Sequence, residues 1–516
     1  MRKFLRTPVI DFLVVLSLTN LTLLSQWTAI LAGNFVGRNS LIAVLFMLAV
    51  GTTIGGLSAW LLRRTTRPAA GWLGRVGLVV WVAVIVGILT KTSLAVEIST
   101  MKFALGLKEV RLVYLAAIIL ASAIGLRYLR PLALVAHVAA LALVPFAFLT
   151  IAQTVWYLVS PPASQPDTSM TDTPVMAANG GKNRILFMLF DEMQYSLAVT
   201  DRPAGLAMPQ LDRLRAESLF ATNAFPPGSM TRLSMPAMFT GRLVDNSSGP
   251  PSQQTIVTFH DGEQQRLSAS DNLIKDLVHN GKTVIRLGGI FGSPGDLGVP
   301  EDSRVVRMLM VPSSPSLGRA LLNGLRNVLE SAPLGGRISP PETTSEINDY
   351  ITNMKRFIAQ AARLAAKGDS DFTYIHFMLP HMLSAFDRVS GEFAPDTDHR
   401  DYVANLAASD KVLGEIRQAM ETAGTWDSTV VILTADHWYR TGVASGQFTS
   451  DHRVPFVVKP AGAPYPVEFD KPFNTVLFRA MVMAFADGEI ATAQDLAMWL
   501  DSHRSFGESP LTIHLK

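Results

Sequence analysis

ILFMLFDE, residues 185–192, is the stretch whose reading decides the fold. Its apolar run stops abruptly at Asp191-Glu192. A run that short, bounded by polar residues, suits a strand buried on both faces. FTYIHFML (372–379), TVVILTA (429–435) and VPFVVK (454–459) have the same character. Between them, 206–219, 349–366 and 400–423 carry helical spacing, the second stopping at Lys367-Gly368. Strands alternating with helices predict an α/β domain with a mainly parallel sheet and helices on both faces.

The polar residues that punctuate these strands are the informative ones. Asp191 and Glu192 end the first, His381 follows FTYIHFML by two residues, and Asp436-His437 follow VVILTA. In an open parallel sheet the carboxyl ends of the strands share one rim, and ligand sites form there. Taken singly these residues are ordinary: an acid pair closes a turn, His381 sits beside Pro380, and His452 lies in the loop-like DHRVPFVVK. Taken together they bring carboxylates and imidazoles from separate strands to one edge. An adjacent acid and imidazole suit Zn²⁺ or Mn²⁺, with Mg²⁺ or Ca²⁺ favoured if oxygen ligands dominate. In TRLSMPAMFTGR (231–242), a helix starting near Thr231 would aim backbone N–H groups at an anion. A threonine hydroxyl there becomes a competent nucleophile if a metal stabilises its alkoxide.

The first 158 residues are a different material. They hold 14 Lys+Arg against 3 Asp+Glu, whereas residues 159–516 hold 31 against 39. A basic apolar part joined to an acidic part argues against a nucleic-acid binder. Five hydrophobic segments, about 10–31, 41–62, 76–95, 112–126 and 131–158, are near the length of a membrane-crossing helix. With five crossings, nine basic residues (Arg2, Lys3, Arg6, Arg63, Arg64, Arg67, Arg75, Arg127, Arg130) fall on one side. Five (Arg38, Lys91, Lys102, Lys108, Arg111) fall on the other, so the N-terminus is placed in the cytoplasm and everything after 158 outside it. Residues 96–111 read as a loop or an interfacial helix. Residues 159–182, rich in Pro, Ser, Thr, Asp and Gly, read as a linker, leaving 183–516 as the extracytoplasmic domain.

Residues 183–460 resemble the alkaline-phosphatase superfamily, and within it the sulfatase-like membrane phosphoethanolamine and phosphoglycerol transferases. The resemblance rests on ILFMLFDE, TRLSMPAMFTGR, HFMLPH and ILTADH in order, followed by HRVPF. In sulfatases the nucleophile lies nine residues before the Thr of a Thr-Gly pair, and counting back from Thr240-Gly241 lands on Thr231. In the transferases it is a Thr three residues before a Ser-x-Pro, and Ser234-Met235-Pro236 points to Thr231 again. The resemblance implies that Asp191 or Glu192, or both, with Thr231, Asp436 and His437 hold one divalent metal, Zn²⁺ or Mn²⁺. It implies that His381 and His452 bind phosphate and protonate the leaving group. Three features depart from the family: Trp438 stands where a Gly is usual, MLSAFD after His381 lacks a usual Pro, and disulfides are impossible without cysteine.

The expectation is thus a multi-pass protein of the bacterial inner membrane with a periplasmic catalytic domain. It would move a phosphoethanolamine- or phosphoglycerol-like headgroup from a phospholipid donor to an envelope glycan or lipid acceptor, through a covalent intermediate on Thr231. Hydrolysis shares the first step and stays open as the alternative. A sulfatase would need a formylglycine where Thr231 stands, and a scaffold would not need the nucleophile, acids and histidines together.

Overall fold

The computed structural model describes residues 8–23, 27, 38–64, 128–159, 184–248, 255–288, 297–298, 317–331, 344–381, 385–394, 401–440, 451–463 and 465–504. The chain divides into two compact units, Met1–Gln165 with Ser313–Pro341, and Pro166–Pro312 with Glu342–Lys516. The boundary read from sequence near 158–183 is therefore joined by a second crossing, because residues 313–341 pack with the first unit.

In the first unit, α1 (Pro8–Thr22), α2 (Arg38–Arg64), α3 (Leu129–Ala142) and α4 (Val144–Val159) pack together. Among the described residues, Arg38–Leu61 and Ala133–Val159 are long and apolar enough to cross a membrane, with mean hydropathy of 2.1 and 2.3. α1 is a shorter apolar helix. The segments expected at 76–95 and 112–126, the interfacial reading of 96–111 and the linker lie outside the described residues. The last expected segment, 131–158, corresponds to Ala133–Val159, interrupted at Leu143 between α3 and α4. Pro145 explains the break: it has no N–H to donate and its ring would strike the carbonyl four residues back, so the chain restarts with proline in the first turn. Two small contacts key the helices together. The Thr150 hydroxyl donates to buried Asn20 Oδ1 at 2.8 Å. Gly51 lets α2 approach α1 so closely that a Cβ there would lie 2.7 Å from Thr19 Cγ2.

The second unit is built on a seven-stranded sheet: β1 (Arg184–Asp191), β2 (Leu219–Ala221), β3 (Val284–Gly288), β4 (Phe372–Pro380), β5 (Thr429–Thr434), β6 (Phe456–Lys459) and β7 (Val467–Phe469). The spatial order is β7-β2-β6-β5-β1-β4-β3. β1 pairs in parallel with β5 and β4, β3 with β4, and β7 with β2. β6 runs antiparallel to both its neighbours, so the sheet is mainly parallel with one reversed strand. Every residue of β1 is buried, as a continuous apolar run at the centre of a doubly covered sheet requires. Its Phe187 stacks on Tyr374 of β4 at 5.1 Å, and Phe190 on Phe377 at 4.9 Å. Around the sheet lie α5 (Pro209–Arg215), α6 (Thr231–Thr240), α7 (Thr344–Lys367), α8 (Tyr402–Thr422) and α9 (Phe478–Ala486). α7 ends at Gly368 in the left-handed conformation, the stop read from Lys367-Gly368. Asp401 caps α8 by accepting from Val403 N and Ala404 N.

Register sets the rim. Leu189 of β1 lies beside Thr434 of β5 and beside His376 of β4. β1 and β5 therefore end level, delivering Asp191 and Asp436 together, while His376 is still inside its strand. At the edge of the same neighbourhood, Gly288 has φ +80°, and a Cβ on it would sit 2.5 Å from the His376 carbonyl oxygen. Only glycine lets β3 end so close to β4. Gly205, at φ +78°, has nothing within 4 Å of a built Cβ. Gly205→Ala should cost ~1 kcal/mol, the left-handed penalty alone. Gly288→Ala should cost a further ~1–3 kcal/mol for the overpacked contact. Urea unfolding of both variants checks this, and equal midpoint shifts would remove the role given to the close approach.

Candidate metal centre and nucleophile

Two adjacent acids at the end of β1 are sent in different directions by one backbone torsion. Glu192 has φ +67°, the left-handed region that costs a non-glycine residue free energy. It is held there from two sides: its N–H donates to Asp436 Oδ1 at 3.0 Å, and its carbonyl accepts from the Tyr402 hydroxyl at 2.7 Å. Asp191 Oδ2 consequently lies 3.6 Å from His376 Nε2, and its Oδ1 lies 3.7 Å from His437 Nε2. Glu192 turns away: its Oε2 meets His381 Nδ1 at 2.5 Å, and its Oε1 accepts from Arg440 N at 3.1 Å.

Asp436 and His437 follow β5 and are fully buried. Asp436 Oδ1 accepts from the Glu192 and His437 N–H groups, the latter at 2.9 Å. His437 Nδ1 lies 2.9 Å from the Trp438 carbonyl. A carbonyl only accepts, so Nδ1 carries a ring proton and Nε2 is the atom turned toward the cluster. That Nε2 is 3.4 Å from Asp436 Oδ2 and 3.4 Å from the Thr231 hydroxyl oxygen. His376 follows the same logic. Its Nδ1 lies 3.0 Å from the Tyr374 hydroxyl, and its Nε2 is buried without a hydrogen-bond partner, facing Asp191.

The result is a buried cluster of carboxylate oxygens and imidazole nitrogens. Asp191 Oδ1, Asp436 Oδ2 and His376 Nε2 are all buried without a hydrogen-bond partner. Ligand atoms of Asp191, His376 and Asp436 lie within 4.8 Å of one another. Tetrahedral ligands on 2.0–2.1 Å bonds sit about 3.3–3.4 Å apart, so the 3.4–3.7 Å separations around His437 are near those of ligands sharing one ion. Orphaned buried carboxylates are costly unless a cation completes them. The residues therefore fit a divalent metal, and a mixed oxygen and imidazole set suits Zn²⁺ or Mn²⁺. Burial alone would raise the Asp436 carboxyl, but the His437 and His376 imidazoles outweigh it and hold it below the usual carboxylate range.

Thr231 is the first residue of α6, preceded by Met230 in an extended conformation. The first residue of this helix thus stands at the rim, its hydroxyl oxygen 3.4 Å from His437 Nε2. Ser234 is otherwise engaged: buried, it donates to the Gly228 carbonyl at 3.0 Å and closes the turn before the helix. Of the hydroxyls in this block, Thr231 is the one set beside His437.

His381 is part-exposed beside the cluster, bonded to Glu192. That hydrogen bond pushes the imidazole pKa up. Burial would raise Glu192, yet the bond from His381 and the His437 and His381 charges hold it below the usual range. The pair behaves as imidazolium and carboxylate. His452 stacks on Trp438 with ring centroids 4.2 Å apart, and burial holds its imidazole pKa below the ordinary value. Trp438 is 3% exposed, so its ring is a buried platform for His452.

Thus the structure brings Asp191, Asp436, His437 and Thr231 together, turns Glu192 to His381, and sets His452 on Trp438. His376 was not among the residues singled out from sequence. Its signal is an imidazole inside the otherwise apolar run FTYIHFML, where a buried polar group needs a reason.

Tyr374→Phe, which removes the partner of His376 Nδ1, should weaken Zn²⁺ or Mn²⁺ binding on the order of 10–100-fold. His376→Ala should weaken it more, and His381→Ala should leave it within severalfold. Equilibrium dialysis of the purified variants against each metal reads all three. Unchanged affinity in His376→Ala would exclude this histidine from the ligand set.

No curated protein is matched by the sequence. Among solved structures, the chain is similar to Ps i-CgsB in complex with k-i-k-neocarrahexaose, at 16% identity and TM-score 0.43, over 64% of this chain and 78% of that one. It is also similar to the phosphonate monoester hydrolase of Agrobacterium radiobacter, at 15% identity and TM-score 0.37, over 57% and 72% of the two chains. A third is a protein in the alkaline phosphatase superfamily from Vibrio parahaemolyticus, at 16% identity and TM-score 0.36, over 60% and 68%. At the level of sequence, residues 324–476, which hold His376, His381, Asp436, His437 and His452, match the family model described as Sulfatase.

Proposed function

We propose that this chain is a membrane-anchored phosphotransferase that moves a phospholipid headgroup onto an envelope glycan or lipid, with Thr231 as the nucleophile. The observation that carries the reading is the Thr231 hydroxyl 3.4 Å from His437 Nε2, at a buried group of Asp191, His376 and Asp436 that lacks a cation's worth of charge. The matched Sulfatase family model supports ester chemistry at this rim. A threonine at the nucleophile position, in a chain without cysteine, argues against a formylglycine-dependent sulfatase.

Asp191, His376, Asp436 and His437 would hold the metal, with the Thr231 oxygen as the remaining ligand. When bound, the cation would lower the proton affinity of that hydroxyl and offset the negative charge of the phosphate. In the first displacement the Thr231 proton passes to solvent, the Thr231 oxygen–phosphorus bond forms, and the bond from phosphorus to the diacylglycerol oxygen breaks. His381, kept protonated by Glu192, gives its proton to that leaving oxygen. In the second displacement an acceptor hydroxyl attacks phosphorus and loses its proton to His381, and the Thr231 oxygen departs. In this reading the N-terminus of α6 and His452 would offset the charge that builds on the phosphoryl oxygens.

The first unit motivates the lipid donor. An active site tethered to a bilayer meets headgroups at high effective concentration. With five crossings, the basic-residue pattern supports a reading in which the α/β unit lies on the periplasmic side of a bacterial inner membrane, where an envelope acceptor is available.

Thr231→Ala should lower kcat on the order of 10⁴-fold or more while leaving metal affinity within about tenfold. Full-length protein incubated with headgroup-labelled phospholipid, with and without acceptor lipid or glycan, follows the transfer. Mass spectrometry of quenched protein should find the adduct on the peptide containing Thr231, its added mass naming the group. Label appearing only as a water-soluble phosphate ester would assign hydrolysis instead. Undiminished turnover by Thr231→Ala would end the covalent mechanism.

A further inference from the structure

The α/β unit gives up one segment to the helical unit. Residues 313–341 pack with Met1–Gln165 although the chain on both sides belongs to the other unit. Within this excursion Leu317–Ser331, LGRALLNGLRNVLES, is a helix that lies against α2.

Its described side chains divide by face. Ala320 is buried, and Gly324 lies so near α2 that a Cβ would approach Met47 Cε to 2.3 Å. Small residues at i and i+4 thus form the contact stripe, as in closely packed membrane helices. Leu317, Leu322 and Leu325 are 43%, 42% and 52% exposed, while Asn323 is half-buried. Beside the contact, α2 also shows Phe46 at 54% and Val50 at 39% exposure, flanking Met47 in sequence. Leucines exposed on a helix that is docked on an exposed apolar span form one apolar surface, and water is a poor partner for it.

Depth along α2 indicates what covers this surface. The polar start of α2, Arg38-Asn39-Ser40, gives way to an apolar run at Leu41. Met47 is six residues on, about 9 Å at 1.5 Å per residue. Interfacial amphipathic helices sit about 5–10 Å into the boundary between headgroups and acyl chains. We propose that Leu317–Ser331 is a membrane-interface helix whose Leu317, Leu322 and Leu325 enter the phospholipid acyl region beside α2. The occupant of the face is the bilayer, and the inference rests on the membrane reading of the first unit. The Arg38 end of α2 is the end that the basic-residue pattern places outside the cytoplasm. The helix would therefore lie in the outer leaflet.

The chain contains no cysteine, so single cysteines can be introduced without background labelling. Spin labels at Leu322→Cys, Leu325→Cys, Asn323→Cys and, on α2, Ile54→Cys are compared in full-length protein in phosphatidylethanolamine/phosphatidylglycerol nanodiscs. The readout is collision with oxygen, which concentrates in acyl chains, against a water-soluble nickel chelate. The expected oxygen-to-nickel ratio is severalfold higher at 322, 325 and 54 than at 323. Ratios at 322 and 325 equal to that at 323, with 54 in lipid, would overturn the proposal and leave the membrane reading intact. Nickel access at 54 as well would overturn both. Nickel exclusion at 322 and 325 with strong label–label coupling between copies would assign the face to a second copy of this chain and overturn the lipid occupant.

Discussion

The structure turns on uncompensated lone pairs gathered at one sheet rim. Asp191 and Asp436 are both buried, and each has an oxygen without a hydrogen-bond partner. Two carboxylates about 4 Å apart repel by about 4 kcal/mol at an effective dielectric near 20. His376 and His437 turn their Nε2 atoms to the same place because their Nδ1 atoms are engaged by Tyr374 and the Trp438 carbonyl. A cation turns this repulsion into coordination. Metal affinity is then linked to folding of the second unit, since the donors converge only when β1, β4 and β5 are in register.

That register is protected by a small set of side chains around Glu192. The left-handed residue is strained by itself, and Asp436 and Tyr402 hold its two backbone groups. The Tyr402 hydroxyl also accepts from Gln194 N, and Gln194 Nε2 donates to the Asp451 carbonyl at 2.7 Å. One torsion therefore separates two kinds of chemistry. Asp191 joins the lone-pair cluster, and Glu192 keeps His381 protonated. The same hydrogen bonds reach the loop that carries His452, whose ring rests on Trp438.

The two units solve the same burial problem with different means. In the α/β unit, backbone polar groups are satisfied by a seven-stranded ladder, and the rim cluster gathers acids and imidazoles that suit an ion. In the helical unit, polar side chains such as Asn20 and Thr150 pair across helices, while Phe46, Ile54 and Trp60 face outward. Outward apolar side chains on helices of that length suit a lipid solvent better than water.

Much of this is written locally in the chain. Continuous apolar runs ending in acids or imidazoles made β1, β4, β5 and β6 readable, and the spacing around Thr240-Gly241 and Ser234-Met235-Pro236 singled out Thr231 as the first residue of a helix. These are nearest-neighbour patterns, which periodicity and turn chemistry report directly. The short strands β2, β3 and β7, the reversed direction of β6 and the break at Leu143 were not readable in the same way. Strands of three to five residues carry little period, and strand direction depends on which neighbours a strand meets. The division of labour between Asp191 and Glu192, the recruitment of His376 and the docking of Leu317–Ser331 on α2 belong wholly to tertiary structure. Adjacent residues can point to different partners through one backbone torsion, and a histidine inside a strand becomes a ligand only when a carboxylate from another strand arrives opposite it.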